Sequence, residues 1–193
     1  LATGSHAALT CHIAVMRHII TGVVSVGHFD NFCCWQYGEE SSAHKDGINI
    51  MLEEIGLPYR VFPIDITNGD QLEPEFLKIS PNNKIPAIVD HDTGQTLMES
   101  GAILVYLAEK HNQFLPTSNI GRAAVMEWLM WQMGGVGPMF GQVHHFVKYN
   151  KGKSAYAEER YSKEARRLYG VMDKRLSQSQ YIAGKDYSIV DIS

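Results

Sequence analysis

The stretch from Asn82 to Lys110 constrains the fold of this 193-residue chain more than any other part of the sequence. Ile85 to Val89 is a short apolar run rich in Ile and Val, which predicts a buried strand. The turn sequence His91-Asp92-Thr93-Gly94 follows, and Thr96 to Met98 predicts a second short strand. The two strands are therefore expected to form a hairpin.

Two points in this stretch suggest a binding site. Pro86 stands at the head of a predicted strand, where it cannot donate a hydrogen bond to the sheet. The Ile85–Pro86 bond is thus a candidate cis peptide, which would turn the backbone N–H and C=O of Ile85 towards a ligand. Glu99 and Ser100 open a nearly all-apolar helix, Ala102 to Ala108, whose free N–H groups would attract a carboxylate while Glu99 could hold an ammonium. A trans edge proline and an ordinary N-cap serine would each explain one feature alone.

The order N-K-I-P-A-I, turn, strand, E-S-G-A-I-L resembles the glutathione site of the glutathione transferase superfamily. The resemblance implies that Ile85 pairs through its backbone with the cysteinyl part of glutathione, and that Glu99 and Ser100 hold its γ-glutamyl end. It also implies that Lys84 and, within N-G-D-Q-L, Gln71 contact the tripeptide. Glutathione would then be a co-substrate, with no metal required.

The order of predicted elements divides the chain into two domains. Residues 31–112 read strand-helix-strand-helix-strand-strand-helix, a thioredoxin-like α/β arrangement. In it, Asn31 to Tyr37 is the expected first strand, Glu39 to Asp46 a polar loop and Gly47 to Leu57 a helix. Residues 1–30 are an extension of unknown role, and His111 to Ile120 is a polar, proline-bearing linker.

Residues 121–193 are expected to form an all-α domain. Helices are predicted over Arg122 to Met133, Met139 to Lys148 and Tyr156 to Leu176. The glycine-rich segment between the first two should bend or break the helix. Ser188 to Asp191 is an S-x-x-D capping box, which predicts the start of a further helix. We therefore expect that the sequence is truncated within this domain.

Motifs in the predicted helical domain indicate which subfamily the sequence resembles. The patterns W-x-x-W-Q-x-G-G-x-G-P-M-x-G-Q-x-H-H-F, at Trp128 to Phe146, and E-R-Y-x-x-E-x-R-R-L-Y, at Glu159 to Tyr169, are similar to bacterial Nu-class transferases. This similarity implies a cytoplasmic homodimeric enzyme, a glutathione-dependent disulfide-bond oxidoreductase in which glutathione itself is the thiol nucleophile. It implies that Arg160 reaches a second glutathione. The alternative is a non-catalytic glutathione-binding regulatory or interaction protein of the same fold, as in a yeast nitrogen-catabolite regulator.

The catalytic loop departs from the family pattern. The family places Thr-Pro-Asn-Gly after the first strand, where the Thr hydroxyl and the Asn amide hold the glutathione sulfur. Counting back without gaps, those positions fall on Ser42, Ala43, His44 and Lys45. Ser42 keeps a hydroxyl and is the first catalytic candidate, and His44 is the second. Upstream of Asp46 almost nothing matches, as expected either for divergence or for an artefact of the sequence.

Charge, segment length and residue spacing argue against nucleic-acid binding, a membrane span, a disulfide framework and a metal site. A net charge of −4 and an isoelectric point near 6.1 give no reason to expect nucleic-acid binding. The apolar run Ile13 to Val26 is too short to span a bilayer, so no membrane partner is expected. Three cysteines, an odd number, favour a reducing compartment over a disulfide framework. Neighbouring residues such as Cys33-Cys34 and His144-His145 lack the spacing of a redox motif or of a helical metal site.

Overall fold

The computed structural model describes residues 29–34 and 43–193, apart from the side chains of residues 33, 34 and 43–46. The chain divides into two compact units. The described part of the first unit comprises residues 29–34, 43–45 and Gly56–Glu99, and the second comprises Asp46–Ile55 and Ser100–Ser193. The predicted extension of residues 1–30 lies outside the described residues except for its last two, which belong to the first strand.

The first unit is built on a four-stranded mixed sheet in the order β2-β1-β3-β4. Strand β1 is parallel to β2 and antiparallel to β3, and β3 is antiparallel to β4, as the predicted hairpin requires. The described residues of this unit also form a short 3-10 helix, Asp70–Leu72, and the α-helix α2. The bounds are β1 Phe29–Cys34, β2 Tyr59–Ile64, β3 Ala87–Asp90, β4 Gln95–Met98 and α2 Pro74–Ile79.

Two predicted bounds near the start of the sheet are wrong. The described part of the first strand is Phe29–Cys34, so the strand begins two residues before the predicted Asn31, while its predicted end at Tyr37 lies outside the described residues. Helix α1, Ala43–Ile55, begins inside the stretch Glu39 to Asp46 that the polar composition assigned to a loop. Polar residues in a first helical turn are common because its N–H groups lack partners within the helix, so polarity alone did not mark the boundary.

One face of the sheet is covered by an apolar cluster. Phe32 and Ile64, on the neighbouring strands β1 and β2, are buried with Phe76 and Ile79 of helix α2. The ring of Phe32 stacks on Phe62 with 5.1 Å between centroids and lies 6.0 Å from Phe76. Alternate residues of a strand point to one face, so this cluster fixes the register of the pair β1–β2.

A buried carboxylate on the interior strand β1 joins three segments of the first unit. The side chain of Asp30 is 0% exposed and accepts hydrogen bonds from Arg60 Nε at 2.8 Å and from Arg60 Nη2 at 3.0 Å. His91 Nε2 lies 2.9 Å from the second oxygen of the same carboxylate. A buried charge needs such pairing because the solvation it loses is otherwise uncompensated. The Asp30 carboxylate is therefore paired with Arg60 on β2 and with His91 in the turn between β3 and β4.

The second unit is helical. After residues 46–55 of α1 it contains α3 Ser100–His111, α4 Asn119–Trp131, α5 Gly137–Val143, α6 Ala155–Leu176 and α7 Ile189–Ile192. The glycine-rich segment does not interrupt the helical backbone, because a π-helical turn over Gln132–Val136 connects α4 to α5. A second π-helical turn, His144–Tyr149, follows α5. No helix in the described part of the chain has the length and apolar character needed to span a bilayer.

The predicted capping box is present at the start of α7. The Asp191 carboxylate accepts hydrogen bonds from the backbone N–H of Ser188 at 2.9 Å and from its hydroxyl at 3.0 Å. Its other oxygen accepts from the N–H of Ile182 at 2.9 Å. Gly47 also lies close to this helix, since a Cβ on it would stand 2.9 Å from the carbonyl oxygen of Ile192. The short helix α7 is therefore fixed at both ends within the second unit.

Candidate functional site

The turn before strand β3 carries the first group of candidate residues. The Ile85–Pro86 peptide is cis, as the sequence predicted. The buried Ser80 donates its hydroxyl to the carbonyl oxygen of Lys84 at 2.7 Å, and the N–H of Asn83 donates to the Ser80 carbonyl at 2.9 Å. Within the described residues the backbone N–H and C=O of Ile85 have no hydrogen-bond partner, so they remain available to a ligand.

Glu99 and Ser100 stand at the junction of β4 and α3. Glu99 is exposed and has φ of 71°, in the left-handed region that non-glycine residues seldom occupy. Ser100 is the first residue of the 12-residue helix α3, whose initial N–H groups have no partners within the helix. A carboxylate is attracted to such a terminus by these N–H groups and by the helix dipole. In the first unit Glu99 thus offers an acceptor for an ammonium, and in the second unit the start of α3 offers donors for a carboxylate.

Two further side chains contact Glu99 and Ser100, each within its own unit, and the sequence pattern did not indicate the first of them, Asn82. Within the first unit, Asn82 donates from Nδ2 to Oε1 of Glu99 at 3.3 Å. Within the second unit, the sulfur of Met133 lies 3.7 Å from the hydroxyl oxygen of Ser100. The motif N-N-K-I-P contains Asn82, but nothing in the pattern indicates that its amide reaches a residue 17 positions away.

Gln71 lies on the 3-10 helix of the first unit. Its Nε2 is 3.4 Å from the carbonyl oxygen of Ile66, whereas its Oε1 is buried and has no hydrogen-bond partner among the described residues. A buried acceptor without a partner is uncommon in folded proteins. No hydrogen bond within the described residues connects Gln71 to Lys84, Ile85 or Glu99.

Arg160 lies on helix α6 of the second unit. Its exposed side chain lines an open groove of about 690 Å3, together with Met139, Tyr156, Glu159, Tyr161, Lys163, Glu164 and Arg167. Arg167 donates two hydrogen bonds to Glu164, at 2.9 and 2.7 Å, and this pairing holds the pKa of the Glu164 carboxyl below its usual range. The charge of Arg160 adds to that effect. Since the Glu164 carboxylate is taken by Arg167, Arg160 is left to face the groove.

The catalytic candidates lie at the limit of what the structure describes. Ser42 falls outside the described residues. The backbone of His44 belongs to helix α1, and its side chain is outside the described part. Their geometry therefore contributes nothing to the site described above, and both remain sequence-based candidates.

The described residues contain no group of three or more His, Cys, Asp or Glu side chains that could hold a metal ion. His144 and His145 are both exposed on the π-helical turn after α5, where His145 contacts Phe146 and Asn150. These histidines therefore make ordinary surface contacts.

Comparison with known proteins relates this arrangement to glutathione-binding proteins. A family model described as the N-terminal domain of glutathione S-transferase matches residues 42–110. The chain is 52% identical over 157 residues to the disulfide-bond oxidoreductase YfcG of Escherichia coli, covering 79% of this chain and 72% of that protein. It is 40% identical over 154 residues to the disulfide-bond oxidoreductase YghU of the same bacterium, covering 76% of this chain and 54% of that protein.

Solved structures give the same relationship. A glutathione transferase family member from Pseudomonas fluorescens, with two glutathione bound, is similar with a TM-score of 0.80 and 41% identity. That similarity covers 92% of this chain and 78% of the other. Ure2p in complex with glutathione is similar with a TM-score of 0.83 and 25% identity, over 94% of this chain and 82% of the other.

Proposed function

The chain belongs to the glutathione S-transferase family, and on that premise we propose that it is an enzyme that reduces disulfide bonds with glutathione as the thiol. The family membership confirms the predicted fold, a thioredoxin-like α/β domain followed by an all-α domain. The names of the curated relatives and the glutathione in the solved structures support the reaction. The chain spans between about half and three quarters of the length of those relatives.

One observation carries the proposal: a carboxylate and a free helix terminus adjoin each other at Glu99 and Ser100, where a γ-glutamyl group needs both. The α-ammonium of glutathione would pair with Glu99. Its α-carboxylate would accept hydrogen bonds at the start of helix α3, from Ser100 and the first N–H groups. The unpartnered backbone groups of Ile85 would bind the cysteinyl part, as an added strand does.

The rest of the tripeptide needs further polar partners. Lys84 is exposed directly before Ile85 and would supply a positive charge, and Gln71 would supply an amide. Arg160 would bind a carboxylate of a second glutathione, which the reaction consumes. Each of these assignments is a proposal that rests on the resemblance to the family and on the side chain's exposure or unpaired atoms.

The reaction is thiol–disulfide exchange in two steps. A glutathione thiolate attacks one sulfur of the substrate disulfide, the S–S bond breaks, and the leaving sulfur takes up a proton as a free thiol. A second glutathione thiolate then attacks the glutathione sulfur of the mixed disulfide and releases the second thiol with glutathione disulfide. Two glutathione sulfurs are oxidised and two substrate sulfurs are reduced, so no metal ion or further reductant is needed.

The glutathione sulfur must be ionised to attack. A thiol with a pKa of about 8.5 is only a few per cent thiolate at neutral pH, and lowering its pKa to about 6.5 requires roughly 2.7 kcal/mol. One or two hydrogen bonds to the sulfur can supply that energy. We assign this role to the Ser42 hydroxyl, with His44 as a second donor.

The family relationship also favours a cytoplasmic homodimer.

The test is glutathione-dependent reduction of bis(2-hydroxyethyl) disulfide, with glutathione disulfide formation measured as NADPH oxidation by added glutathione reductase. A variant in which Cys11, Cys33 and Cys34 are all replaced by serine should retain the parent's rate, because no protein sulfur takes part. Loss of turnover in this variant, with its melting temperature unchanged, would instead place a protein thiol in the reaction. Glutathione binding by the parent without turnover would favour a non-catalytic binding protein.

A further inference from the structure

Asn82 is the side-chain partner of Glu99. Its Nδ2 donates to Oε1 of Glu99 at 3.3 Å, and both residues belong to the first unit. Among the described residues Glu99 has no other side-chain hydrogen bond or ion pair. The amide thus holds one oxygen of the carboxylate and leaves the second oxygen, with its lone pairs, to another donor.

The turn that carries Asn82 is fixed from within. The hydroxyl of Ser80 donates to the Lys84 carbonyl at 2.7 Å across the turn, and the N–H of Asn83 donates to the Ser80 carbonyl at 2.9 Å. Ser80 is 0% exposed, so these hydrogen bonds are shielded from water. The backbone that presents Asn82 is therefore anchored at both ends of a short segment.

The backbone of Glu99 is constrained by the chain, whereas among the described residues its side chain is held only by Asn82. Its φ of 71° is set by the sharp passage from β4 into α3. The side chain is exposed, and an exposed glutamate samples many rotamers unless a partner selects one. A ligand ammonium would otherwise have to order this side chain on binding, which weakens binding.

We propose that Asn82 is a positioning residue, which holds the Glu99 carboxylate ready for the α-ammonium of a γ-glutamyl ligand and so sets selectivity for ligands that carry this amine. The inference rests on the proposed function, because it assumes that Glu99 receives that ammonium. It adds that the turn binding the cysteinyl part, through Ile85, also orders the residue binding the γ-glutamyl part. Asn82 itself would make no contact with the ammonium.

The test compares two ligands on four proteins. The ligands are glutathione and its deaminated analogue, glutaryl-cysteinyl-glycine, which lacks only the α-ammonium. The proteins are the parent, Asn82→Ala, Glu99→Gln and the double variant, with Kd measured by calorimetric titration. Asn82→Ala should weaken glutathione binding by about 3- to 10-fold and leave the analogue's Kd unchanged. In the Glu99→Gln background, Asn82→Ala should add no further loss for glutathione.

Gln95→Ala is the matched control, because it removes an exposed amide from strand β4 whose hydrogen bond goes to the backbone of Thr96. It should leave both Kd values unchanged. If Asn82→Ala does not fold, Asn82→Ser replaces it, since serine suits an exposed turn and is too short to reach Glu99.

The outcomes separate the two proposals. Equal loss for both ligands in Asn82→Ala would make Asn82 a structural residue of the turn, and no loss for either would leave Glu99 independent of it; each overturns the inference. A parent that binds neither ligand would instead contradict the proposed glutathione site. A parent that binds both ligands equally would remove Glu99 from ammonium recognition, and the positioning role with it.

Discussion

Met133 lies against Gly101 in the second unit, so closely that a Cβ on Gly101 would stand 3.0 Å from Cγ and 3.2 Å from Sδ of the methionine. The same sulfur contacts the hydroxyl of Ser100 at 3.7 Å. Gly101 is buried in the first turn of helix α3. Met133, on the π-helical turn, therefore fills the space beside the first turn of α3, next to the hydroxyl of Ser100 that is assigned to the γ-glutamyl group.

Gly101→Ala should destabilise the protein despite the better helix propensity of alanine. The propensity gain is at most about 1 kcal/mol, whereas overpacking a filled site costs about 1–3 kcal/mol. We expect a lower midpoint of urea unfolding. In a Met133→Ala background, the same substitution should become neutral or stabilising, because the methionine has been removed.

Gly170→Ala is the control for this prediction. Gly170 lies within helix α6 and has nothing within 4 Å of its Cβ position. Alanine there should raise the stability by about 0.8–1 kcal/mol. A Gly101→Ala variant that is stabilised as much as Gly170→Ala would contradict the tight contact with Met133.

Ser100→Ala should weaken glutathione binding and leave the fold stable. Hydrogen bonds to charged groups contribute about 1.5–3 kcal/mol, so affinity should fall about 10- to 150-fold. In the described part of the chain the Ser100 hydroxyl contacts only the Met133 sulfur, so little stability depends on it. Calorimetric titration well below the melting temperature measures the loss.

Ser118→Ala gives the opposite pattern and serves as its control. The Ser118 hydroxyl accepts from the N–H of Gly121 at 3.2 Å and caps helix α4. Its removal should cost about 1 kcal/mol of stability without changing glutathione affinity. Unchanged glutathione binding by Ser100→Ala would remove the main support for the proposed site.

Asp191→Ala should be severely destabilising. The substitution leaves three donors without an acceptor: the N–H and hydroxyl of Ser188, which is 2% exposed, and the N–H of Ile182. Unsatisfied buried donors cost about 1–3 kcal/mol each, so a loss of about 3 kcal/mol or more is expected in urea unfolding. Asp186→Ala removes an exposed carboxylate two residues before Ser188 and should change the midpoint little. Similar midpoints for the two variants would contradict a structural role for the capping box.

Arg60→Met should cost much more than the loss of an ordinary surface ion pair. Among the described residues it leaves the buried carboxylate of Asp30 with His91 alone, and breaking such a pair costs about 3 kcal/mol. Arg167→Met is the matched control, because Arg167 pairs bidentately with Glu164 on an exposed helix face. Surface pairs contribute little, so its melting temperature should stay close to that of the parent. Equal shifts in the two variants would show that the burial of Asp30 carries no energetic weight.

Features set by neighbouring residues could be predicted from the sequence. The β3–β4 hairpin, the cis bond before Pro86 and the capping box at Ser188 each depend on a few adjacent residues with restricted backbone or hydrogen-bonding chemistry. The helix after Glu99 was predicted from its apolar run, and the structure begins it at Ser100. The motifs N-K-I-P-A-I and E-S-G-A-I-L, in this order and separated by a turn and a strand, were enough to indicate the family.

Features that depend on distant contacts could not be predicted. Nothing about a glutamate indicates φ of 71°, because the turn from β4 into α3 imposes that conformation on Glu99. The approach of Asn82 to Glu99 and of Met133 to Gly101 needs the tertiary fold, as does the burial of Asp30. The catalytic candidates Ser42 and His44 were inferred by counting along the chain, and they stay predictions.

The buried carboxylate of Asp30 has a consequence for the order in which the first unit folds. Its partners Arg60 and His91 are 30 and 61 positions further along the chain, so their hydrogen bonds require two large loops to close first. The pairing of β1 with β2 and with β3 closes the same loops, so we expect the side-chain hydrogen bonds of Asp30 to form only once these strands have paired. Arg60→Met should therefore change the unfolding rate far more than the refolding rate. The ion pairs of Asp30 would then be among the last contacts to form on folding and among the first to break on unfolding.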